Sequence, residues 1–122
     1  MANAITVSNS NFMGVPASTN TTVSSADLSI PGTSAHQVLL IGEFSADCKG
    51  FTNGSIVGDI QVDGNTVHGI QVNNLNGTIG TIIAVSGITY VAPGTHRFDL
   101  RAFTQSMNLS VHHRTLSVID LD

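Results

Sequence analysis

The chain has 122 residues, with four lysines and arginines against eight aspartates and glutamates, for a formal net charge of −4. That length bounds it to one domain, large enough to bury roughly two-thirds of its unfolded surface. With 10% charged residues and no basic stripe interleaved with aromatics, it is not built as a general nucleic-acid binder. Scarce charge on an apolar background also suggests surface hidden against other subunits; the alternative is a monomer with a bland Ser/Thr/Asn surface. No apolar run reaches the roughly 18 residues of a membrane span. No basic segment followed by an apolar core marks a secretion signal, so cytoplasmic synthesis is expected, compatible with later export or display on a virion. Cys48 is the single cysteine and excludes an intrachain disulfide. With no activating base nearby in sequence, it reads as a small buried apolar residue.

Ala4 to Val7 opens as a strand, and Ser8 to Asn20 follows as a Ser/Asn-rich loop. Phe12, Met13 and Val15 are too apolar to float in that loop and are expected to cover one end of the core or a neighbouring chain. Thr21 to Ile30 predicts a strand kinked near Ala26-Asp27 and stopped by Pro31-Gly32. His36 to Phe44 holds Val38, Leu39, Leu40 and Ile41 in succession. Such a run fits a strand covered on both faces or a central strand at an oligomer interface. Glu43 beside it reads as a rim residue.

Ser55 to Val62 alternates, with Ile56, Gly58, Ile60 and Val62 sharing one face. Asp63-Gly64 then signals a two-residue hairpin turn, because both positions tolerate positive φ. In the return strand, Thr66 to Val72, Val67 is out of phase with Ile70 and Val72, and Gly69 is the expected bulge. After a turn at Asn73 to Gly77, Ile79, Thr81, Ile83 and Val85 face one way and Gly87 breaks the strand. The Asn-X-Ser/Thr triplets at Asn20, Asn53, Asn76 and Asn108 read as turns rather than glycan acceptors.

The segment Tyr90 to Leu121 carries the sharpest alternation and three of the four basic residues. Pro93-Gly94 reverses the chain, after which His96, Phe98, Leu100 and Ala102 oppose Arg97, Asp99, Arg101 and Phe103. Leu109 to His112 reads as the return strand of a hairpin. In that pairing Phe98, Leu100, Leu109 and Val111 are buried, and Arg97, Asp99, Arg101, Ser110 and Arg114 share the other face. The whole pattern predicts an all-β two-sheet antiparallel sandwich of roughly eight to ten strands without substantial helix.

This layout resembles the TNF/C1q-like jelly roll in its small bacterial and phage forms. The resemblance rests on the Asp63-Gly64 hairpin, on Tyr90-Val91-Ala92-Pro93-Gly94-Thr95-His96, and on Arg114-Thr115-Leu116-Ser117-Val118-Ile119-Asp120-Leu121. It spans roughly residues 36–121. It implies a ten-stranded jelly-roll sandwich, a homotrimer around a three-fold axis, and a binding or structural module rather than an enzyme. Some relatives of that kind are trimeric lectins that hold sugar between protomers. The implied interface candidates are Val38, Leu40, Phe98 and Phe103, with Tyr90 near the axis.

Two constellations carry candidate chemistry. His112-His113 cannot jointly chelate one ion, since neighbours on a strand face opposite ways. The pair with Arg114 reads as a bulge, and the alternative is a trimer axis gathering three copies of one histidine. The Arg97/Asp99/Arg101 row has two readings. One is an inter-subunit salt-bridge network. The other is a glycan site built from Arg97, Asp99, Arg101, Ser110, His112 and Arg114, with Tyr90 or Phe103 stacking on a sugar face. No nucleophile elbow, HExxH or phosphate loop is present, so no catalytic residue, metal or cofactor is assigned.

Overall fold

The computed structural model describes residues 3–77, 80–105 and 107–122. Among them are nine strands and no helix: β1 (Ala4–Asn9), β2 (Met13–Val15), β3 (Thr21–Ile30), β4 (His36–Asp47), β5 (Gly54–Val62), β6 (Asn65–Leu75), β7 (Thr81–Val91), β8 (Gly94–Phe103) and β9 (Leu109–Asp120). They form two antiparallel sheets, one ordered β1-β9-β4-β7 with β2 also on β9, the other ordered β3-β8-β5-β6. This is the expected all-β jelly-roll sandwich.

Alternation fills the space between the sheets. Val38, Leu40, Phe44, Ile83, Val85, Leu116 and Val118 point inward from one sheet, and Ile56, Ile60, Phe98, Leu100 and Ala102 from the other. At roughly 1.5 to 3 kcal/mol per fully buried large aliphatic or aromatic side chain, these residues supply most of the favourable energy of folding. Their burial also corrects the interface assignment. Val38, Leu40 and Phe98 have no exposed area and offer nothing to a neighbouring subunit. The strand is central, between β7 and β9, but its faces differ: the alternate residues Leu39 and Ile41 are the ones turned outward.

A second correction concerns β8 and β9. They do not form a hairpin; β8 pairs with β3 and β5, while β9 pairs with β1, β2 and β4. Phe98 and Leu100 do meet the same core as Leu109 and Val111, but across the sandwich rather than along one sheet. Alternation fixes which face a residue takes and says nothing of which strand lies beside it.

Several irregularities fall elsewhere than expected. In β3 the register slips at Val23, between Thr22 and Ser24, and not at Ala26-Asp27. In β6 the extra residue is Val67 itself, between the pairs Ile60–His68 and Gln61–Thr66, so Gly69 is an ordinary strand position. Gly87 does not break its strand; β7 runs through it. The loop after β1 is interrupted by β2, where Val15 is fully buried, whereas Phe12 is 72% exposed and covers no core. Ile79 lies outside the described residues. The Asp63-Gly64 turn has φ of 50° and 86°, the two positive values that a two-residue hairpin turn of this hand requires.

That turn is clamped from β8. Asp63 accepts from the Arg97 amide (2.9 Å) and from His96 Nδ1 (2.6 Å), and His96 Nε2 reaches the Ala92 carbonyl at 2.7 Å. Both ring nitrogens therefore face acceptors, an arrangement that only the doubly protonated imidazolium satisfies. The bond to Asp63 raises the His96 pKa above its ordinary 6.5, and the same bond lowers that of Asp63 below 3.8.

Two outcomes follow from this packing. The His96 contribution is complete below pH 6.5 and fades as pH climbs through the raised value, while that of Asp63 is lost as pH falls through the depressed one. Thermal melts of the wild type and His96→Gln should differ most near about pH 5 and converge toward about pH 9; a constant difference would show that the imidazolium is not the stabilising species. In the core, a Cβ added at Gly42 would stand 2.7 Å from Leu100 Cδ1 and 3.3 Å from Ile60 Cδ1. Urea unfolding of Gly42→Ala should show a loss of about 1 to 3 kcal/mol from overpacking.

Candidate functional site

The outer face of the β3-β8-β5-β6 sheet carries the arginine row. Arg101 grips Asp59 on β5 with two parallel bonds, Nε to Oδ1 at 2.9 Å and Nη2 to Oδ2 at 2.8 Å. Arg97 Nε donates to Asp99 Oδ1 at 3.0 Å, and Ser25 Oγ on β3 donates to the same oxygen at 2.6 Å. Asp59 also accepts from Thr66 on β6. The register explains the fit, since Asp59 lies opposite Arg101 and Asp99 opposite Ser25. These bonds, from Arg101 across to β5 and from Arg97 along β8, raise the pKa values of both arginines and hold them charged. The row is thus an intra-chain network linking all four strands. Phe103 shares this face and is half-buried.

The other expected members do not join it. Ser110, His112 and Arg114 belong to β9, and Tyr90 to β7, so all four lie on the opposite sheet. Tyr90 is 70% exposed and accepts a bond from Gln37 Nε2 at 3.0 Å. Arg114 turns along its strand to donate to the carbonyls of Asn11 and His112, which ties down the loop between β1 and β2.

His112 and His113 sit where the register between β4 and β9 slips, with Ser45 facing two residues instead of one. The His113 amide donates to Ser45 Oγ at 3.0 Å. The bulge brings both rings to the same end of the sheet, 4.5 Å apart. Phe12 lies flat on His112, with ring centroids 4.3 Å apart and an interplanar angle of 5°. On one side of this stack is a hollow lined by Phe12, Ser45, Ala46, Asp47, Gly80 and His112. Beyond Ser45 a second hollow is lined by Glu43, Phe44, Ile82, His113 and Thr115. Sequence reasoning found His112 but missed Phe12, Ser45 and Asp47. The available signal was a lone aromatic in a Ser/Asn loop, whose Asn9 side chain caps the Asn11 amide at 2.8 Å.

Between Leu39, Ile41, Ile82, Ile88, Tyr90 and Ile119 this sheet presents an outward apolar surface. Leu39 lies between Ile88 and Ile119 in register, and Ile41 (41% exposed) and Ile88 (52% exposed) stand in adjacent rows. Glu43 is exposed at one end of it, as its rim position predicts. Cys48 is buried, and that burial raises its thiol pKa, the opposite of what a nucleophile needs.

Fold and faces define the class: a two-sheet jelly-roll protein with one polar, cross-linked face and one apolar face. Solved structures share this fold. PorU from Porphyromonas gingivalis, in its dimeric latent form, superposes with a TM-score of 0.59 at 7% identity over 98% of this chain. The structure of infectious bursal disease virus, Gt strain, gives 0.58 at 14% identity over 98% of this chain. The Gx strain gives 0.54 at 11% identity. The chain spans 13% of the PorU chain and about a third of each viral chain. No protein-family model matches the sequence, and no curated protein matches it.

The Arg101–Asp59 fork makes a direct test of the polar face. Both partners are largely shielded, so Asp59→Ala should cost about 2 kcal/mol in urea unfolding, and Arg101→Lys about 1 kcal/mol because charge survives without the fork. Additive single and double variants would show that the pair is not coupled.

Proposed function

We propose that this chain is a non-enzymatic binding module that assembles as a closed homotrimer of the TNF/C1q-like type and recognises cell-surface carbohydrate. The observation that carries the reading is the unlike character of the two outer faces. An isolated monomer would leave Ile41, Ile88, Tyr90 and their neighbours in water, whereas packing around an axis covers them and shields the free edge of β7. The sheet order β1-β9-β4-β7 facing β3-β8-β5-β6 supports the jelly-roll resemblance.

Support for the carbohydrate half comes from the Phe12–His112 stack at the rim of the apolar face. An aromatic plane offers contact to the C–H face of a sugar, and the neighbouring Ser45 hydroxyl and Asp47 carboxylate can bind its hydroxyls. In a trimer this ledge borders the junction between subunits. The second reading is a purely structural assembly protein, as on a virion. It is favoured by the arginine row, whose charges are already paired within the chain.

Light scattering on a sizing column and a glycan array separate these readings. The expected mass is that of a trimer across about pH 5 to 8, reduced to a monomer by Ile41→Lys on the apolar face. Phe12→Ala should abolish glycan binding without changing the mass, while Arg97→Ala leaves binding intact. A monomeric wild type would overturn the assembly. A trimer that binds no glycan would leave the structural reading standing.

A further inference from the structure

Where β4 begins and β9 ends, three ligating side chains converge away from both faces already described. His36 Nδ1 lies 2.9 Å from each carboxylate oxygen of Asp120. One oxygen of Asp122 joins them, and the three donor atoms all lie within 4.8 Å of one another. We propose that His36, Asp120 and Asp122 form a binding site for a divalent transition-metal ion of the zinc kind.

The surroundings of the cluster suit an ion. Nδ1 faces both Asp120 oxygens at equal distance, a geometry made by a three-centre bond from the protonated ring and equally by the lone pair of a deprotonated Nδ1 aimed at an ion between them and Asp122. Ligands about 2.0 to 2.2 Å from a tetrahedral ion stand roughly 3.3 to 3.6 Å apart, so closure requires side-chain adjustments of about an ångström. Backbone already holds the carboxylates: Gln37 N–H donates to Asp122 Oδ2 at 2.7 Å, Asp122 N–H to Asp120 Oδ1 at 3.1 Å, and Leu121 N–H to the Gln37 carbonyl at 2.9 Å. Asp120 is 2% exposed and Asp122 is exposed, so the site has a sheltered floor and an open side where water completes the coordination. An imidazole with two carboxylates suits zinc or manganese better than calcium or magnesium, which favour all-oxygen sets. The bound ion would pin the end of β9 to the start of β4. This site is independent of the glycan reading.

Titration calorimetry and thermal melts with zinc chloride, on the whole untagged chain, test it. One ion per chain should bind, and excess zinc should raise the melting midpoint by roughly 5 °C. Asp122→Ala, an exposed change that leaves the fold intact, should weaken zinc at least about tenfold, and His36→Gln likewise. The double variant His112→Ala/His113→Ala should bind as the wild type does. No binding at millimolar zinc, or binding that survives Asp122→Ala and disappears with the paired histidines, would overturn the assignment.

Discussion

The sandwich depends on a complementarity of size between its two sheets. At three places where one sheet brings bulk to the midplane, the other supplies a residue without a side chain. Gly42 on β4 lies beneath Leu100 and Ile60, Gly58 on β5 beneath Ile83 and Phe44, and Gly87 on β7 beneath the His68 ring. A Cβ at any of the three would meet atoms 2.3 to 3.0 Å away. Since facing sheets pack roughly 10 Å apart, these matched positions let large aliphatic and aromatic side chains fill the gap without strain. His68 closes the side of the sandwich between β6 and β7, where its Nε2 meets the Ile88 carbonyl at 3.2 Å.

Much of this was legible in the sequence. Period-2 alternation identified the inward residues of β5 and β8, and Asp-Gly identified the β5–β6 turn with the required backbone sign. Strand partnership was not legible. The linker between β8 and β9 can close a hairpin or cross between sheets, and only packing of the whole chain decides. The Val38 to Ile41 run misled for a related reason: consecutive apolar residues on a strand belong to two surfaces, so half face the core and half face outward. Glycine's flexibility points to Gly69 for the β6 bulge and the pattern of β3 to a kink at Ala26-Asp27, yet the slips fall at Val67 and Val23, while the bulge expected at His112-His113 is where the register places it. The Phe12 ledge escaped notice because its parts come from three separate segments.

Charge is distributed as sharply as bulk. The β3-β8-β5-β6 face concentrates its ionic groups into pairs, Arg101–Asp59 across strands and Arg97–Asp99 along one, which stiffens the surface and leaves it compatible with water. The opposite face holds few charges near its centre and gathers its polar chemistry at the ends: the aromatic ledge at one, the His36–Asp120–Asp122 cluster at the other. Such an arrangement separates a surface suited to association from margins suited to small ligands.

Strand order has a consequence for how the chain reaches this state. β8 and β9 come last in sequence, yet each occupies an interior place in its sheet, β8 between β3 and β5 and β9 between β1 and β4. Until both have emerged from the ribosome, the early strands have no neighbour to complete their ladders, and β4 has one edge bare. Every stable pairing of β1 and β2 awaits a segment roughly a hundred residues later, and that of β3 a segment roughly seventy residues later, separations that slow closure of the loops. The polypeptide is therefore committed to folding after synthesis of β9 rather than during it. In that interval its aliphatic strands are exposed to other nascent copies, which are the same surfaces the finished sandwich hides.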